Sequence, residues 1–313
     1  MPKILTAALL AFLCAIAPVV SAQATPKHQQ IGPPRYSPSS SLSVSSEPED
    51  AGVANGSYSN EYFKLDFPLL AGWREDVKGP VPAASGYYVL GRLRTQGDLK
   101  GMVSIDAQDM FFAPFPVNNA LDFAQRREHQ ATVLSQEAID HAPREIQLAG
   151  HQFVRLDYSG ASFHHAEFYT VVRCHIVAIK ITSRFPEIFK KLDDNMAQLS
   201  LLDIANPAAG GGPVPVCVKD YASDATVIHR VDPVLGPLFA QIPVRFVIDT
   251  KGKVKHIHVL NSLPDQAKAI EDALAQWVFK PYVQNGQPVE LETGILFEFP
   301  PKNRRQETAA SKH

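Results

Sequence analysis

The stretch QIPVRFVIDTKGKV, residues 241–254, decides the fold of the C-terminal part of the chain. Its apolar residues alternate from Ile242 to Ile248, which is the period of a strand with one buried face. The DTKG segment then supplies a turn, because Gly252 adopts a positive φ at low cost. Beyond the turn, the offset of three between Val254 and Ile257 breaks strict alternation and predicts a bulge. The stretch therefore predicts a bulged β-hairpin.

A helix and a long strand are predicted to follow the hairpin. The segment SLPD, residues 262–265, offers a capping serine and an early proline. The helix that begins there has one apolar face, formed by Ile270, Ala273, Leu274 and Trp277. Asn285-Gly286 then turns the chain, and strict alternation predicts a final strand over residues 291–299. The helix is expected to cover one face of an antiparallel sheet.

The order of these motifs is similar to the TonB C-terminal domain family over about residues 235–299. The resemblance rests on the hairpin, on a Trp-x-Phe-x-Pro motif, and on an Asn-Gly-x-Pro-Val motif that follows it at fixed spacing. It implies a set of turn and packing residues: Gly252, Trp277, Phe279, Pro281, Asn285 and Gly286. The family usually opens with a Tyr-Pro motif and a short helix, whereas residues 231–237 read VDPVLGP and lack the tyrosine. The opening helix is therefore expected to be short or irregular.

The resemblance implies peptide binding along the last strand. In the family, an extended peptide of an outer-membrane transporter pairs with the edge of that strand, which is β-augmentation. The corresponding residues are Leu291, Thr293, Ile295, Phe297 and Phe299. The alternative is a plain sheet strand whose edge is hidden by the first domain or by a second copy of the chain, as in a homodimer. Glu290, Glu292 and Glu298 are expected to point outward and to protect an open edge.

A first domain is predicted over residues 58–205. Asn118-Asn119 caps a helix, and a closing helix runs from Pro186 to about Leu201. Strand-like alternation covers residues 62–68, 86–93, 101–110, 151–158, 166–173 and 175–183. This order resembles the PsbP-like α/β sandwich, and the resemblance rests on the LDFP segment at 65–68 with Gly72-Trp73 and on the LAGH segment at 148–151. It implies a scaffold or assembly role.

The fold class is therefore predicted to be α+β with two domains, a PsbP-like α/β sandwich followed by a TonB C-terminal-like antiparallel sheet with a packed helix. A length of 313 residues is sufficient for two separate cores. Composition divides the rest of the chain into a disordered Pro/Ser-rich tether (23–57), a Gly/Pro linker (206–218) ahead of the C-terminal domain (219–300), and a polar tail (301–313).

The N-terminus reads as a secretory signal over residues 1–22. A charged residue precedes an apolar run, and the small-residue exit Val20-Ser21-Ala22 predicts cleavage before Gln23. The alternative is an uncleaved inner-membrane anchor, since about 17 apolar residues lie at the lower limit of a spanning helix. Phe12-Leu13 before Cys14 argues against lipoprotein processing. The expected location is the periplasm, with inner-membrane anchoring as the alternative.

Cleavage would leave Cys174 and Cys217 in a compartment that permits disulfides. Their separation in space cannot be read from sequence, so a disulfide and two buried thiols both stay open. His256 and His258 share one face of a predicted strand, yet two ligands make an incomplete metal site, so solvated histidines are expected there. His164 and His165 point to opposite faces and are a poorer pair still.

These observations predict a non-enzymatic protein without a cofactor or metal. A net charge of -2 disfavours a nucleic-acid partner, and the sequence contains no nucleophile elbow, zinc-protease motif, phosphate loop or dinucleotide fingerprint. The predicted function is a periplasmic TonB-family protein that binds an extended peptide of an envelope or outer-membrane transport protein, such as a TonB-dependent transporter. The alternatives are a membrane-anchored energy transducer, which alone would require a membrane, and an exported enzyme with an unrecognised site.

Overall fold

The computed structural model describes residues 46–77, 79–80, 82–95, 100–202, 214–235 and 241–297. The predicted signal, most of the tether, residues 206–213 of the linker, Cys14, Glu298, Phe299 and the polar tail lie outside these residues. Sheets and helices are both present, so the predicted α+β class is confirmed. Within the described ranges, no helix has the length and hydropathy needed to cross a membrane.

The N-terminal part contains two sheets and two helices among the described residues. Its helices are α1 (Ala120–Val133) and α2 (Pro186–Asn195), and α2 continues into a 3-10 turn at Met196–Gln198. Its strands are β1 (Ala51–Ala54), β2 (Ser57–Asn60), β3 (Leu65–Pro68), β4 (Trp73–Val77), β5 (Tyr87–Thr95), β6 (Gly101–Asp109), β7 (Ala138–Leu148), β8 (His151–Ser159), β9 (His164–Val172), β10 (His175–Ser183) and β11 (Ser200–Leu201).

The two sheets lie face to face. The larger sheet has the order β4-β5-β6-β10-β9-β8-β7, and the smaller has the order β1-β2-β3-β11. Phe63 and Phe67 of the small sheet region pack with Ile105 and Ile179 of the large sheet in one core. Helix α1 covers the other face of the large sheet, where Ala124 packs in a second core. This α/β layering buries apolar residues on both faces of β10, one face in each core.

Local chemistry explains the start of α1. The Asn119 side chain accepts a hydrogen bond from the backbone N–H of Asp122 at 2.8 Å, as predicted for an N-cap. Other predictions need correction. Strand β7 was not predicted, the closing helix ends at Asn195 rather than near Leu201, and the strand predicted from residue 62 begins at Leu65. Lys64 adopts a positive φ of 52°, which turns the chain just before that strand.

Short strands lie near the C-terminal ends of the segments predicted to be a tether and a linker. Strand β1 and the first residue of β2 lie inside the segment predicted to be disordered. Strand β1 pairs with β2, and β2 pairs with β3. At the other break, Val216–Cys217 forms a strand inside the predicted Gly/Pro linker. In both places short polar or Pro-rich sequence is ordered by pairing with a neighbouring strand, which composition does not report.

Over residues 214–235 and 241–297, the C-terminal part has a four-stranded main sheet, two two-stranded sheets and one packed helix, α3 (Pro264–Leu274). Its strands are β12 (Val216–Cys217), β13 (Val227–His229), β14 (Ile242–Ile248), β15 (Val254–Val259), β16 (Val278–Phe279), β17 (Val283–Gln284), β18 (Gln287–Pro288) and β19 (Leu291–Phe297). The main sheet has the order β12-β19-β14-β15, in which β14 lies between β15 and β19. Strands β14 and β19 are antiparallel throughout.

Helix α3 and β14 enclose the C-terminal core. Ile270 and Leu274 pack with Phe246, Trp277 and Phe279. The indole N–H of Trp277 donates to the carbonyl of Val231 at 2.7 Å, which ties the irregular opening segment to the core. The predicted capping serine is wrong, because Leu263 is the N-cap residue and its N–H donates to the Gln266 side chain. The Gln266 side chain, and not that of Ser262, therefore accepts a hydrogen bond from a backbone N–H at the start of the helix.

The predicted bulge in β15 is confirmed. The register of β14 against β15 shifts between Arg245↔His258 and Val247↔Lys255, and His256 adopts a positive φ of 50° at the shift. A bulge reverses the side-chain alternation beyond it. His258 therefore points to the same face of the sheet as Arg245.

Candidate peptide-binding edge and the buried arginine cluster

Strand β19 has one side paired with β14 and one side directed away from it. Val216 donates its backbone N–H to the carbonyl of Glu290 at 2.9 Å, and Val218 donates to that of Glu292 at 3.0 Å. Even-numbered residues therefore direct their main-chain groups away from β14. By the same alternation, the N–H and C=O groups of Gly294 and Leu296 point to this outer edge. Among the described residues, no strand pairs with them there.

Those predicted peptide-binding residues that the structure describes lie on the face of β19 that α3 covers. Leu291, Thr293 and Phe297 are buried and Ile295 is half-buried, and the apolar members pack in the core under α3. Their side chains cannot form recognition pockets, so only their strand offers main-chain groups. Phe299 lies outside the described residues.

The glutamates predicted to guard the edge have other partners. Glu290 accepts from Lys255 Nζ at 2.6 Å, and Glu292 accepts from Arg245 at 2.6 Å. The expectation of free outward charges at these two residues is therefore wrong. Arg245 lies on β14, which pairs directly with β19, and Lys255 lies on β15, one strand further away.

A short strand already occupies the first part of the outer edge. Strand β12 runs parallel to β19, with Val216 opposite Leu291 and Cys217 opposite Glu292. Cys217 forms a disulfide with Cys174, with a Cα–Cα distance of 5.6 Å, which is one of the two alternatives that the sequence left open. Cys174 lies in the turn between β9 and β10, so the disulfide joins β12 to the N-terminal part.

The face of the C-terminal sheet opposite α3 packs against the N-terminal part. Leu260 is fully buried and lies in the N-terminal core cluster. A Cβ atom on Gly294 would lie 2.6 Å from the Phe112 ring and 3.0 Å from the Cβ of Phe111, so only glycine permits this approach. Strand β14 is consequently buried on both faces, whereas alternation predicted one buried face.

Arg245 is the polar centre of this interface and is 2% exposed. Its NH1 donates to Asp109 Oδ2 at 2.7 Å and to His175 Nε2 at 2.6 Å. Its NH2 donates to Glu292 Oε1 at 2.6 Å and to the carbonyl of Arg173 at 3.3 Å. We call Arg245, Asp109, His175 and Glu292 the arginine cluster. It joins residues of β6, β10, β14 and β19, so it links the two parts of the chain.

The protonation states of the cluster follow from burial and charge. Burial lowers the pKa of His175 well below its ordinary value, and the positive charge of Arg245 acts in the same direction. Neutral His175 donates from Nδ1 to the carbonyl of Arg173 at 2.6 Å, which leaves Nε2 to accept from Arg245. Burial also raises the pKa of Asp109, an effect that Arg245 opposes. Arg245 stays charged because Asp109 and Glu292 raise its pKa.

His258 forms a second ionic contact on the same face. Its Nδ1 lies 3.3 Å from Glu47 Oε2 and its Nε2 lies 3.1 Å from Glu49 Oε1. Despite burial, these two carboxylates raise the pKa of His258 to about 9, so the ring is charged at neutral pH. The expectation of a solvated His258 is wrong, because the bulge turns it toward the N-terminal segment. We call these three residues the histidine clamp.

The histidine clamp fits an ion pair better than a metal site. The ligand atoms of Glu47, Glu49 and His258 lie within 4.8 Å of one another. However, each ring nitrogen faces a different carboxylate, and a metal ligand must present an unprotonated nitrogen to the ion. The carboxylates therefore hold a proton on each nitrogen, and the ring bridges β15 and the segment before β1.

Sequence reasoning missed the arginine cluster and the clamp. One signal was present, since Arg245 is a charged residue in the centre of the apolar run IPVRFVI. A buried charge requires partners. Two of these partners are His175, which lies 70 positions away in the sequence, and Asp109, which lies 136 positions away. No local pattern reports such partners.

The C-terminal part matches a known family, and the match covers part of the chain. The family model described as the Gram-negative bacterial TonB protein C-terminal matches residues 239–300. Protein TonB of Pseudomonas aeruginosa is 32% identical over 85 residues, which are 24% of this chain and 25% of that protein. The chain thus spans about a quarter of the length of the curated relative that it matches.

Two solved structures are also similar to parts of the chain. The solution NMR structure of the Pseudomonas aeruginosa TonB CTD is 25% identical, covers 27% of this chain and 94% of that chain, and gives a TM-score of 0.22. The solution structure of cyanobacterial PsbP from Synechocystis sp. PCC 6803 is 20% identical, covers 48% of this chain and 96% of that chain, and gives a TM-score of 0.36. The family match and the Pseudomonas aeruginosa relative confirm the resemblance of the C-terminal part to the TonB C-terminal domain.

Proposed function

We propose that this protein is a non-enzymatic periplasmic adaptor whose C-terminal domain binds an extended peptide of an outer-membrane transport protein by β-augmentation. The observation that carries the proposal is the outer edge of β19 at Gly294 and Leu296, whose main-chain groups pair with no described strand. Extended peptides bind such edges through main-chain hydrogen bonds. The match of residues 239–300 to the TonB C-terminal family supports a transporter as the source of the peptide.

The geometry of β19 leads us to expect that main-chain hydrogen bonds, more than side-chain contacts, hold the peptide. The α3 side of β19 is buried, and Phe111 and Phe112 lie against Gly294 on the other face. Within the described part of β19, Leu296 is the large apolar residue that is exposed, at 40%. A bound peptide would therefore gain hydrogen bonds along the edge and apolar contact at Leu296.

An NMR titration of the 15N-labelled full chain tests this proposal. The probes are synthetic peptides that copy periplasm-facing segments of TonB-dependent transporters. We expect shifts and slowed hydrogen exchange at the outward amides of Gly294 and Leu296. The amides of Ile295 and Phe297 serve as an internal control, because their N–H groups face β14. An absence of change at all four amides with saturating peptide would rule out binding at this edge.

A pair of variants separates main-chain from side-chain recognition. Leu296→Pro removes the outward N–H at a position where an edge strand tolerates proline, and we expect peptide affinity to fall about tenfold. Leu296→Ala keeps the N–H and removes most of the side chain, and we expect a change of about threefold or less. Equal losses in both variants would show that the side chain, and not the edge, holds the peptide.

Placement in the periplasm has its own test. A mass measurement of the mature protein is expected to give a chain that begins at Gln23. An intact Met1 in the membrane fraction would instead support the anchored energy transducer.

A further inference from the structure

Strand β12 lies where a bound peptide would lie. It hydrogen-bonds to Glu290 and Glu292 on the outer edge of β19, which is directly continuous with the unpaired groups of Gly294 and Leu296. The chain turns away immediately afterwards, at Lys219–Asp220, where Asp220 has a positive φ of 58°. The strand therefore covers the first half of the edge and leaves the second half.

The pairing of β12 is too short to hold itself in place. A two-residue strand makes few hydrogen bonds, and each contributes about 1 kcal/mol net. Closing a loop and ordering the segment costs a similar amount per residue. Beyond the strand, Val218 packs against the C-terminal core, and the disulfide from Cys217 to Cys174 adds a covalent constraint on β12 itself.

The anchor of that disulfide is rigid and its other end is accessible. Cys174 is 1% exposed and lies in the tight turn joining β9 and β10, whose strands pair along their whole length. Cys217 is exposed. A small dithiol can therefore approach the sulfur of Cys217, whereas Cys174 is shielded.

We infer that β12 is an internal occupant of the peptide-binding edge, held there by the Cys174–Cys217 disulfide, and that reduction by a dithiol releases it and opens the edge to Glu290 and Glu292. This inference rests on the proposed function, because it describes control of the same edge. The occupant that replaces β12 is the extended peptide.

The redox step balances with a dithiol as the reductant. One thiolate of the dithiol attacks Sγ of Cys217, the S–S bond breaks, and the sulfur of Cys174 leaves and takes up a proton. The second thiolate then attacks the mixed disulfide and releases Cys217 as a thiol. The protein gains two thiols, and the dithiol becomes one disulfide.

Release of β12 raises the number of residues whose outward main-chain groups are available to a peptide from two to four. Gly294 and Leu296 are available while β12 is in place, and Glu290 and Glu292 become available when it leaves. Because each added hydrogen bond strengthens binding, the affinity for an extended peptide is expected to rise about tenfold or more on reduction.

The test compares oxidised and reduced full chain with two probes. The first probe is the peptide VPVSVK, which copies residues 214–219 with serine in place of Cys217 and so mimics β12 itself. The second is the transporter-derived peptide used above. We expect both to bind about tenfold more tightly after treatment with dithiothreitol, and the backbone amides of Val216 and Val218 to lose protection from hydrogen exchange. Reoxidation should restore the original values.

Two variants keep the result interpretable. Cys174→Ala/Cys217→Ala reproduces the open state without a reductant. Val216→Pro removes one hydrogen bond of β12 but keeps the disulfide, and we expect a rise in affinity of about threefold. The indole fluorescence of Trp73 and of Trp277, which is buried in the C-terminal core, reports that each form is folded.

The outcomes separate this inference from the proposed function. Equal affinity of the transporter peptide in both redox states, with Val216 and Val218 still protected, would overturn the inference and leave the function intact. Binding of VPVSVK only after reduction, without binding of any transporter peptide, would support the inference and remove the transporter as partner.

Discussion

The two faces of β14 differ in how they stabilise the protein. Phe246 faces α3 and contacts apolar side chains, whereas Arg245, the preceding residue, faces the N-terminal part and contacts charged ones. Burial of apolar area is non-directional and tolerates small shifts. A buried guanidinium requires particular partners at hydrogen-bond distance. The α3 face therefore stabilises the C-terminal domain itself, and the arginine face specifies how it joins the N-terminal part.

Removal of Arg245 should have the largest effect on this comparison. Arg245→Ala leaves Asp109 buried without its cation, and we expect the free energy of unfolding to fall by about 3–5 kcal/mol in urea denaturation. Arg230→Ala is the control, since Arg230 is half exposed and its ion pair with Asp232 should contribute less than about 1 kcal/mol. Similar small losses in both variants would contradict a structural role for the cluster.

Loss of the disulfide should rank second. The 43-residue separation of Cys174 and Cys217 gives a stabilisation of roughly 4 kcal/mol in the chain-entropy model, and measured values are commonly smaller. We expect Cys174→Ala/Cys217→Ala to lower the free energy of unfolding by about 2–4 kcal/mol. Urea denaturation of the oxidised and reduced wild type provides the matched comparison. A reduced protein as stable as the oxidised one would show that the arginine face alone joins the two parts.

The turn on the α3 side provides a third test. Gly252 has a φ of 81°, and a Cβ there would lie 2.0 Å from the carbonyl oxygen of Phe279. Gly252→Ala should cost about 2–3 kcal/mol, because backbone strain and a steric clash add together. Gly286→Ala is the matched control: its φ is 78° and no heavy atom lies near, so it should cost about 1 kcal/mol. Thermal unfolding that fails to separate the two variants would argue against the close approach to Phe279.

The smallest expected effect concerns the histidine clamp and pH. The pKa of His258 is about 9 in the folded protein, above its ordinary value of 6.5. Its contribution to stability is therefore fully present below about pH 6.5 and is lost as pH rises through about 9. We expect about 1–2 kcal/mol, because Glu47 and Glu49 keep partial access to water.

Urea midpoints measured from pH 6 to pH 10 check this expectation. His258→Gln should flatten that part of the profile, and His229→Gln, at an exposed strand residue, should leave it unchanged. A wild-type profile that matches His258→Gln throughout would remove the clamp as a pH-dependent contact.

Much of the C-terminal fold is predictable from its residues because the determining interactions are local. Gly252 specifies the hairpin turn, and the offset between Val254 and Ile257 predicted the bulge that is found. The helical spacing of Ile270, Ala273 and Leu274 predicted the face of α3 that is buried. Trp277 was predicted to continue this face, but the helix ends at Leu274, and Trp277 is buried beyond its end. In the N-terminal part, β7 was missed because most of its residues are exposed and polar residues interrupt its apolar ones, so it has little apolar alternation to detect.

The sequence placed the candidate edge on the last strand and named side chains that the structure places mostly in the core. Alternation reports which residues share a face, and Leu291 and Thr293 do share one, but it cannot report which face meets α3. Alternation also does not report which strands pair with a given strand. Strand β12 lies on the β19 edge, and its Cys217 is joined by a disulfide to Cys174 of the N-terminal part.

The sequence by itself determined the α+β class, the TonB-like order of hairpin, helix and final strand, and the apolar face of β14, since periodicity and turn chemistry act within a few residues. Only the tertiary structure decided that the other face of β14 is buried, that Arg245 meets Asp109 and His175 there, and that Cys217 is joined to Cys174. Those contacts form between residues far apart in the chain, and their energies depend on burial that no local pattern encodes.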